Sequence, residues 1–345
     1  MFWEEFYAKH IKNLTFYRKE YEQGEIVEFE SIEDLRKFDS DFLLNVDSDI
    51  ISNICSVLKC NPNDIVDINV INAGLTNVSF SFYVSHIKYV YRHPGSTAGN
   101  LIERKSEYFA QMQAKEYGLD KSVIYLDETG WKISYYVEDA RCCDFENDDE
   151  QLNTAMLYLH KLHDIDLNNE VRIFDNIEEG KKLMKIASLT KGNLEKEFGE
   201  EVEKIEQLYK YVKIDARKMG KKLVLCHNDI YAPNYLVDKS GKIYLIDWEY
   251  AGCNYEANDI GCILCRYDWT NDQVERYIEH YLGHVPSEDE KRYYYAFIAI
   301  SGFYWFCWGL YKGSVGDDDG FFFLPAYHNM KKYLDESLER YRKLR

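Results

Sequence analysis

The thirteen-residue interval between Asn234 and Asp247 constrains this 345-residue chain more than any other feature. Inside it, Tyr235-Leu-Val is followed by the turn Asp238-Lys-Ser-Gly241 and then by a second apolar run, 243–246. Two short apolar runs around a turn of Asp, Ser and Gly predict a β-hairpin. A hairpin of this length returns the chain to its starting point. The Asn234 amide and the Asp247 carboxylate can then meet one cation. Asp229, five residues before Asn234, puts a second carboxylate nearby. A proton acceptor with two oxygen ligands for magnesium is the equipment of a phosphoryl transferase. A turn in which Asp and Asn cap backbone amides accounts for any one of these residues, but not for the set.

Composition narrows the partners. A net charge of −18 repels phosphate backbones and anionic lipid, so neither nucleic acid nor a membrane surface is an expected partner. With 46% apolar residues the chain can bury a large core, as two domains or one two-lobed enzyme. Nine scattered cysteines read as reduced, mostly buried thiols. The lone Cys262-Ile-Leu-Cys265 lacks the second pair or basic surroundings that a metal or redox site needs. The opening MFWEEFYAKHIKNL carries charges and has no apolar stretch of the signal-peptide kind, so a cytoplasmic protein is expected. Residues 293–311 contain no charge and imitate a membrane span, but their Tyr, Trp and Gly content fits a buried helix of a globular domain better.

Periodicity divides the chain. Residues 1–40 form an extension, helical and then extended, with no assigned role. Residues 41–138 carry a helix over 41–60, strands at 65–72, 79–85 and 87–92, a helix over 101–117, and strands at 122–126 and 132–137. That is a small β-rich lobe. Residues 139–345 are mainly helical, with helices over 149–163, 175–190, 195–219, 258–267, 271–282, 287–311 and 325–343 around the hairpin.

HNDIYAPN followed by LIDWEYAG resembles the catalytic and metal motifs of the choline/ethanolamine kinase and aminoglycoside phosphotransferase superfamily. Three upstream segments, Ile71-Asn-Ala-Gly-Leu-Thr-Asn77, Tyr89-Val-Tyr-Arg-His-Pro-Gly95 and Asn100-Leu-Ile-Glu-Arg-Lys-Ser-Glu107, resemble the nucleotide loop, third strand and first-lobe helix of Lic-type bacterial choline kinases. The resemblance covers roughly residues 42–340 and implies an α+β, two-lobed protein-kinase-like fold. It makes Asp229 the base that takes the substrate proton, and Asn234 and Asp247 the magnesium ligands that hold ATP. His227 braces the loop more than it titrates. Gly74, Thr76, Asn77 and Ser79 would meet phosphate, with Gly74 allowing close backbone approach. Arg92 would bridge phosphates and a helix carboxylate, Glu107 by choice and Glu103 as competitor. The adenine edge would meet the backbone around Tyr136 to Glu138. Asp259 opens the next helix as an N-cap and, by resemblance, also braces the catalytic loop.

The resemblance also implies the acceptor. Trp305 and Trp308 correspond to the paired tryptophans of choline kinases, and Tyr327 falls near a pocket aromatic. Physics supplies a second warrant. A quaternary ammonium has no N–H to donate, so a site grips it with aromatic faces and nearby carboxylate charge. Trp305 and Trp308, three apart on a helix, share one face; an aromatic stripe of core packing reads the same way. Glu249 is counted with the substrate-facing residues. Choline is the leading expected substrate, followed by ethanolamine or another amino alcohol and then an aminoglycoside. A non-catalytic pseudokinase is the reading from a different class, and the intact Asp229, Asn234 and Asp247 set speaks against it. One residue departs from the family pattern. Arg266 stands where related choline kinases have a Glu, seven residues after the counterpart of Asp259. Either Arg266 points away and Asp268 or an acid of Gly316-Asp-Asp-Asp-Gly320 supplies the charge, or the substrate is not choline. The sequence sets no oligomeric state.

Overall fold

A computed structural model describes residues 49–71, 77–94, 102–167, 171–316 and 320–343. The extension over 1–40, the start of the 41–60 helix, Gly74, Thr76 and the acids 317–319 lie outside the described residues.

Helix α1 (Asp49–Leu58) stops where Pro62 enters a short 3-10 turn, and the chain passes into β1 (Val66–Ile71), β2 (Asn77–Val84) and β3 (Ile87–Pro94). With β4 (Val123–Leu126) and β5 (Lys132–Tyr135) these form an antiparallel sheet ordered β1-β2-β3-β5-β4. Strand alternation decides what each face does. Tyr89 and Tyr91 of β3 point to one face, where Tyr91 stacks on Phe80 and Trp131 and packs with Ile51 and Ile54 of α1. Arg92, next in sequence, therefore points to the other face, towards α2 (Arg104–Glu116). That helix starts where the Glu103 side chain accepts from the Ser106 amide at 2.7 Å.

The second part is built from α3 (Asp149–His163), α4 (Asn176–Lys191), α5 (Leu194–Glu197), α6 (Gly199–Lys218), α7 (Ala257–Leu264), α8 (Asn271–Leu282), α9 (Glu288–Ser314) and α10 (Gly320–Arg342). Helix α9 contains the charge-free stretch and is buried along most of its length. A helix apolar on all sides belongs at the centre of a large core, and among the described residues no helix is long and apolar enough to cross a membrane. Close approach is built in at two glycines. A Cβ on Gly261 of α7 would stand 2.5 Å from the Phe297 carbonyl, and one on Gly302 of α9 would stand 3.0 Å from the Ala326 carbonyl. The core also takes in Ala110 and Ala114 of α2, so the first-lobe helix packs into the helical mass and not only onto its own sheet.

Two helix expectations need correction. The 195–219 helix is broken at Phe198 into α5 and α6, and α10 begins at Gly320, not 325, with Pro325 inside it. The hairpin forms as expected: β8 (Tyr235–Val237) pairs with β9 (Ile243–Leu245), Tyr235 opposite Leu245. Two short strand pairings join distant segments. β6 (Arg141–Cys142) lies beside β8, and β7 (Val224–Cys226) pairs with β10 (Gly252–Asn254).

Candidate active site

The pairing of Cys226 with Gly252 brings two loops together. The segment after β7 carries His227 to Asn234, and the one before β10 carries Asp247 to Tyr250. Asn228 takes the left-handed conformation, φ 63°, and ties the loops. Its side-chain amide donates to the Tyr250 carbonyl at 3.1 Å, and its oxygen accepts from Asn258 at 2.9 Å. The Asp259 carboxylate, fully buried, accepts from the His227 amide at 3.0 Å and the Asn228 amide at 2.7 Å. His163 Nε2 lies 3.1 Å from the same carboxylate. The N-cap of α7 is Glu256, so the capping reading of Asp259 is corrected: its oxygens serve the loop instead. The His227 side chain lies 2.9 Å from the Ile246 carbonyl through Nε2, and burial lowers its pKa, so it sits neutral as a brace between the loops.

Asp229, Asn234 and Asp247 come together. Asn234 donates its amide N–H to the Asp229 carbonyl at 2.8 Å and to the Asp229 carboxylate at 3.2 Å. These two bonds leave the Asn234 side-chain oxygen, an acceptor, uncommitted. The Ile246 amide donates to the Asn234 carbonyl at 2.9 Å, which sets Asp247 beside it. Asp247 is left-handed, φ 68°, and its side chain is 40% exposed, against 10% for Asp229. One accessible carboxylate and one amide oxygen suit a hard divalent cation. Burial pushes the Asp229 carboxyl up to about 7, against the opposing pull of Arg266.

On the sheet side, Arg92 pairs with Glu107 and donates to the Gly130 carbonyl at 2.9 Å. Glu107 also pairs with Arg104, and Glu103 is occupied as the helix cap. Burial alone would raise the Glu107 pKa; the two arginines overcome it and hold the carboxyl below its usual range. Arg92 Nη1 lies 3.8 Å from Asp247, and neither Nη1 nor Nε has a hydrogen-bond partner among the described residues. Buried, unspent guanidinium donors beside an accessible carboxylate fit an anionic phosphate accompanied by a cation. Ser79 lies opposite Arg92 in the β2–β3 ladder, and Asn77 opens β2. Lys132, opposite Arg92 on β5, is a further buried cation here; the sequence shows it only as one lysine in a strand. Glu138 is exposed and borders, with residues 136 and 137 and the 238–242 turn, a cavity of about 450 Å³ that does not include Asp229 or Asp247.

On the helical side an aromatic wall stands beside Asp229. Trp305 and Trp308 of α9 meet edge to face at 5.6 Å, Tyr250 meets Trp305 at 5.5 Å, and Trp308 donates its indole N–H to the Tyr250 hydroxyl at 3.0 Å. Tyr231 completes the group through Arg266. Of the two alternatives for Arg266, the one in which it points away does not hold. Its buried guanidinium pairs with Asp229 and lies 3.8 Å from the Trp305 ring centroid and 4.4 Å from that of Tyr231. Tyr327 is not brought to this wall; it packs on Phe306 at 5.0 Å and Phe198 at 6.3 Å. Glu249 is buried, and its charge acts on Arg92 and Tyr250. Tyr231 and Tyr250 could have been found only by their places inside the two motifs.

Among the described residues, His163, Cys226 and Asp259 form the cluster whose ligand atoms lie close enough to share a metal. Its donors are spent. Asp259 serves the loop, and His163 Nδ1 bonds the Tyr281 hydroxyl at 2.8 Å. Burial also raises the Cys226 thiol, as it does Cys262 and Cys265, which is the reverse of a reactive or metal-binding thiolate.

Residues 68–334 match the family described as choline/ethanolamine kinase. Protein LicA of Haemophilus influenzae is 25% identical over 276 residues, spanning 76% of this chain and 78% of that protein. The crystal structure of choline kinase LicA from Streptococcus pneumoniae superposes with a TM-score of 0.67 at 22% identity, covering 83% of this chain and 98% of that one. A structure of LicA in complex with AMP gives 0.67 at 21% identity, covering 84% and 97%. These likenesses establish the two-lobed kinase-like fold. The family match over most of the chain, on a fold that joins a buried carboxylate to an unspent arginine, shows that this chain belongs to the choline/ethanolamine kinase family, ATP-dependent phosphotransferases acting on an alcohol.

Proposed function

We propose that this protein transfers the γ-phosphoryl group of ATP, with magnesium, to the hydroxyl of a small amino alcohol, choline foremost and ethanolamine next, in the cytoplasm. One observation carries the reading: Asp229 is hydrogen-bonded to Asn234, beside Asp247, and is linked through Arg266 to Trp305 of the aromatic wall. The cation-binding side and the acceptor side share one carboxylate. Nine unpaired cysteines suit a reducing compartment.

In this reading Asp229 accepts the proton of the acceptor hydroxyl as that oxygen bonds to the γ-phosphorus and ADP leaves. Asn234 holds the Asp229 carboxylate in place through its amide N–H, and offers its oxygen, with Asp247, to magnesium. Bound there, magnesium offsets charge on the phosphates. Arg92, fixed by Glu107 and Gly130, directs Nη1 and Nε at phosphate. The wall, with Arg266 against it, lines the acceptor side of Asp229.

The test is an ATP-consumption screen with choline, ethanolamine, related amino alcohols and aminoglycosides, with Asp229→Asn as control. Turnover with an amino alcohol, lost in the control, is expected. Preference for an aminoglycoside, or turnover retained by Asp229→Asn, overturns the reading.

A further inference from the structure

We propose that Arg266 sets the acceptor specificity of this site, because its guanidinium already occupies the aromatic seat to which an acceptor's cationic group would bind. The inference rests on the amino-alcohol kinase reading above. Arg266 follows α7, the helix that braces the catalytic loop through Asp259, and its guanidinium lies between Trp305 and Tyr231 at 3.8 and 4.4 Å. That is the geometry of a cation–π clamp, filled from within the chain. The same group pairs with Asp229.

The occupancy is incomplete as an ion pair. One terminal nitrogen serves Asp229, while the buried Nε has no hydrogen-bond partner among the described residues. A guanidinium settled only to neutralise a carboxylate gains most from a two-pronged contact. Here its flat face is spent on aromatic rings. Two cations cannot share one face at this distance, so a quaternary ammonium must displace Arg266 or bind beside it without the clamp. A neutral group of the same shape must also find room beside the guanidinium, but it gains nothing from the rings as a cation would and meets no charge repulsion.

Wild-type protein tests this directly. Choline and its uncharged isostere 3,3-dimethylbutan-1-ol differ in the cationic nitrogen alone. With the seat filled, their KM values fall within about threefold of each other. With an open seat, choline is favoured by about tenfold or more, the ratio for a desolvated cation–π contact of about 1.4 kcal/mol. Arg266→Gln then shifts the KM ratio towards choline by about tenfold, because both alcohols gain the room and only choline gains the cation–π contact. Arg266→Lys, which keeps the charge on a shorter, non-planar group, falls between. A strong wild-type preference for choline, or an Arg266→Gln variant whose KM rises for both alcohols together, overturns the proposal. If neither alcohol is phosphorylated by the wild type, choline is excluded as the acceptor, and turnover with ethanolamine decides the amino-alcohol reading separately. Tetramethylammonium binding, followed by tryptophan fluorescence, still decides the role of Arg266. Binding about tenfold tighter to Arg266→Gln than to wild type supports the filled seat, and equal binding refutes it.

Discussion

Replacing Asp259 by Asn separates bracing from catalysis. The carboxylate takes three donors: the Asn228 amide at 2.7 Å on one oxygen, and the His227 amide at 3.0 Å with His163 Nε2 at 3.1 Å on the other. An Asn side chain has one acceptor and must turn its NH2 towards a donor. In its best arrangement the oxygen faces the Asn228 amide. His163 can then change tautomer and accept from the new NH2, since the Tyr281 hydroxyl on its Nδ1 can donate or accept. The His227 amide is left buried without a partner, at a cost of about 1–3 kcal/mol, and the bond to Asn228 loses its charge assistance, worth about 1 kcal/mol. The total is about 2–4 kcal/mol. The loop also loses what holds Asn228 at its positive φ. Urea unfolding should show a lower midpoint with an unchanged slope. Steady-state kinetics should show kcat down by about tenfold to a hundredfold, with the acceptor KM nearly unchanged because the tryptophan wall is untouched. A stability loss with full kcat would refute the claim that this carboxylate positions the base loop, and no change in either would refute the hydrogen bonds themselves.

Asp247→Ala should abolish the gain in ADP affinity that magnesium provides, measured calorimetrically with and without the ion; a retained gain removes Asp247 from the cation site. Because burial holds Asp229 at about 7, kcat/KM should rise with pH through an inflection near 7 and then level off. Stability should move the other way. The folded state holds that proton more tightly than the unfolded chain, so this group's favourable contribution is complete below about pH 4 and is lost as pH climbs to about 7. Calorimetric melting across that range, compared with Asp229→Asn, checks the sign. Gly261→Ala should cost about 1–3 kcal/mol, because its methyl would stand 2.5 Å from both the Phe297 carbonyl and the Ser301 hydroxyl; an unchanged melting temperature would mean that the crossing has slack.

The parts of this protein written in local order could be read without coordinates. Helices α3 and α8 fall at their expected bounds because caps and periodicity are contained in the segments themselves. The hairpin and the Arg92–Glu107 pair followed from motif order. What stayed hidden was non-local. Nothing near Cys226 announces Gly252 as its strand partner, and the bracing of the loop by Asp259 follows from the family resemblance, not from its cap-like position. Tyr327, near the pocket by resemblance, packs instead on Phe306 and Phe198, because which face of α10 meets α9 is decided by packing and not by local sequence. Arg266 was visible as an anomaly, but its direction depends on how α7 crosses α9.

That crossing has a consequence for how such a site can change. Helix α7 leads from the loop brace at Asp259 to Arg266, and α9 carries Trp305; at Gly261 the two helices meet backbone to side chain with no room for a methyl group. The distance from base to wall is thus fixed by a contact that neither helix can slide along. Divergence of this enzyme towards larger or differently charged alcohols is therefore confined to exchanging side chains on a rigid frame, and Arg266 is a position with reach to both Asp229 and the wall.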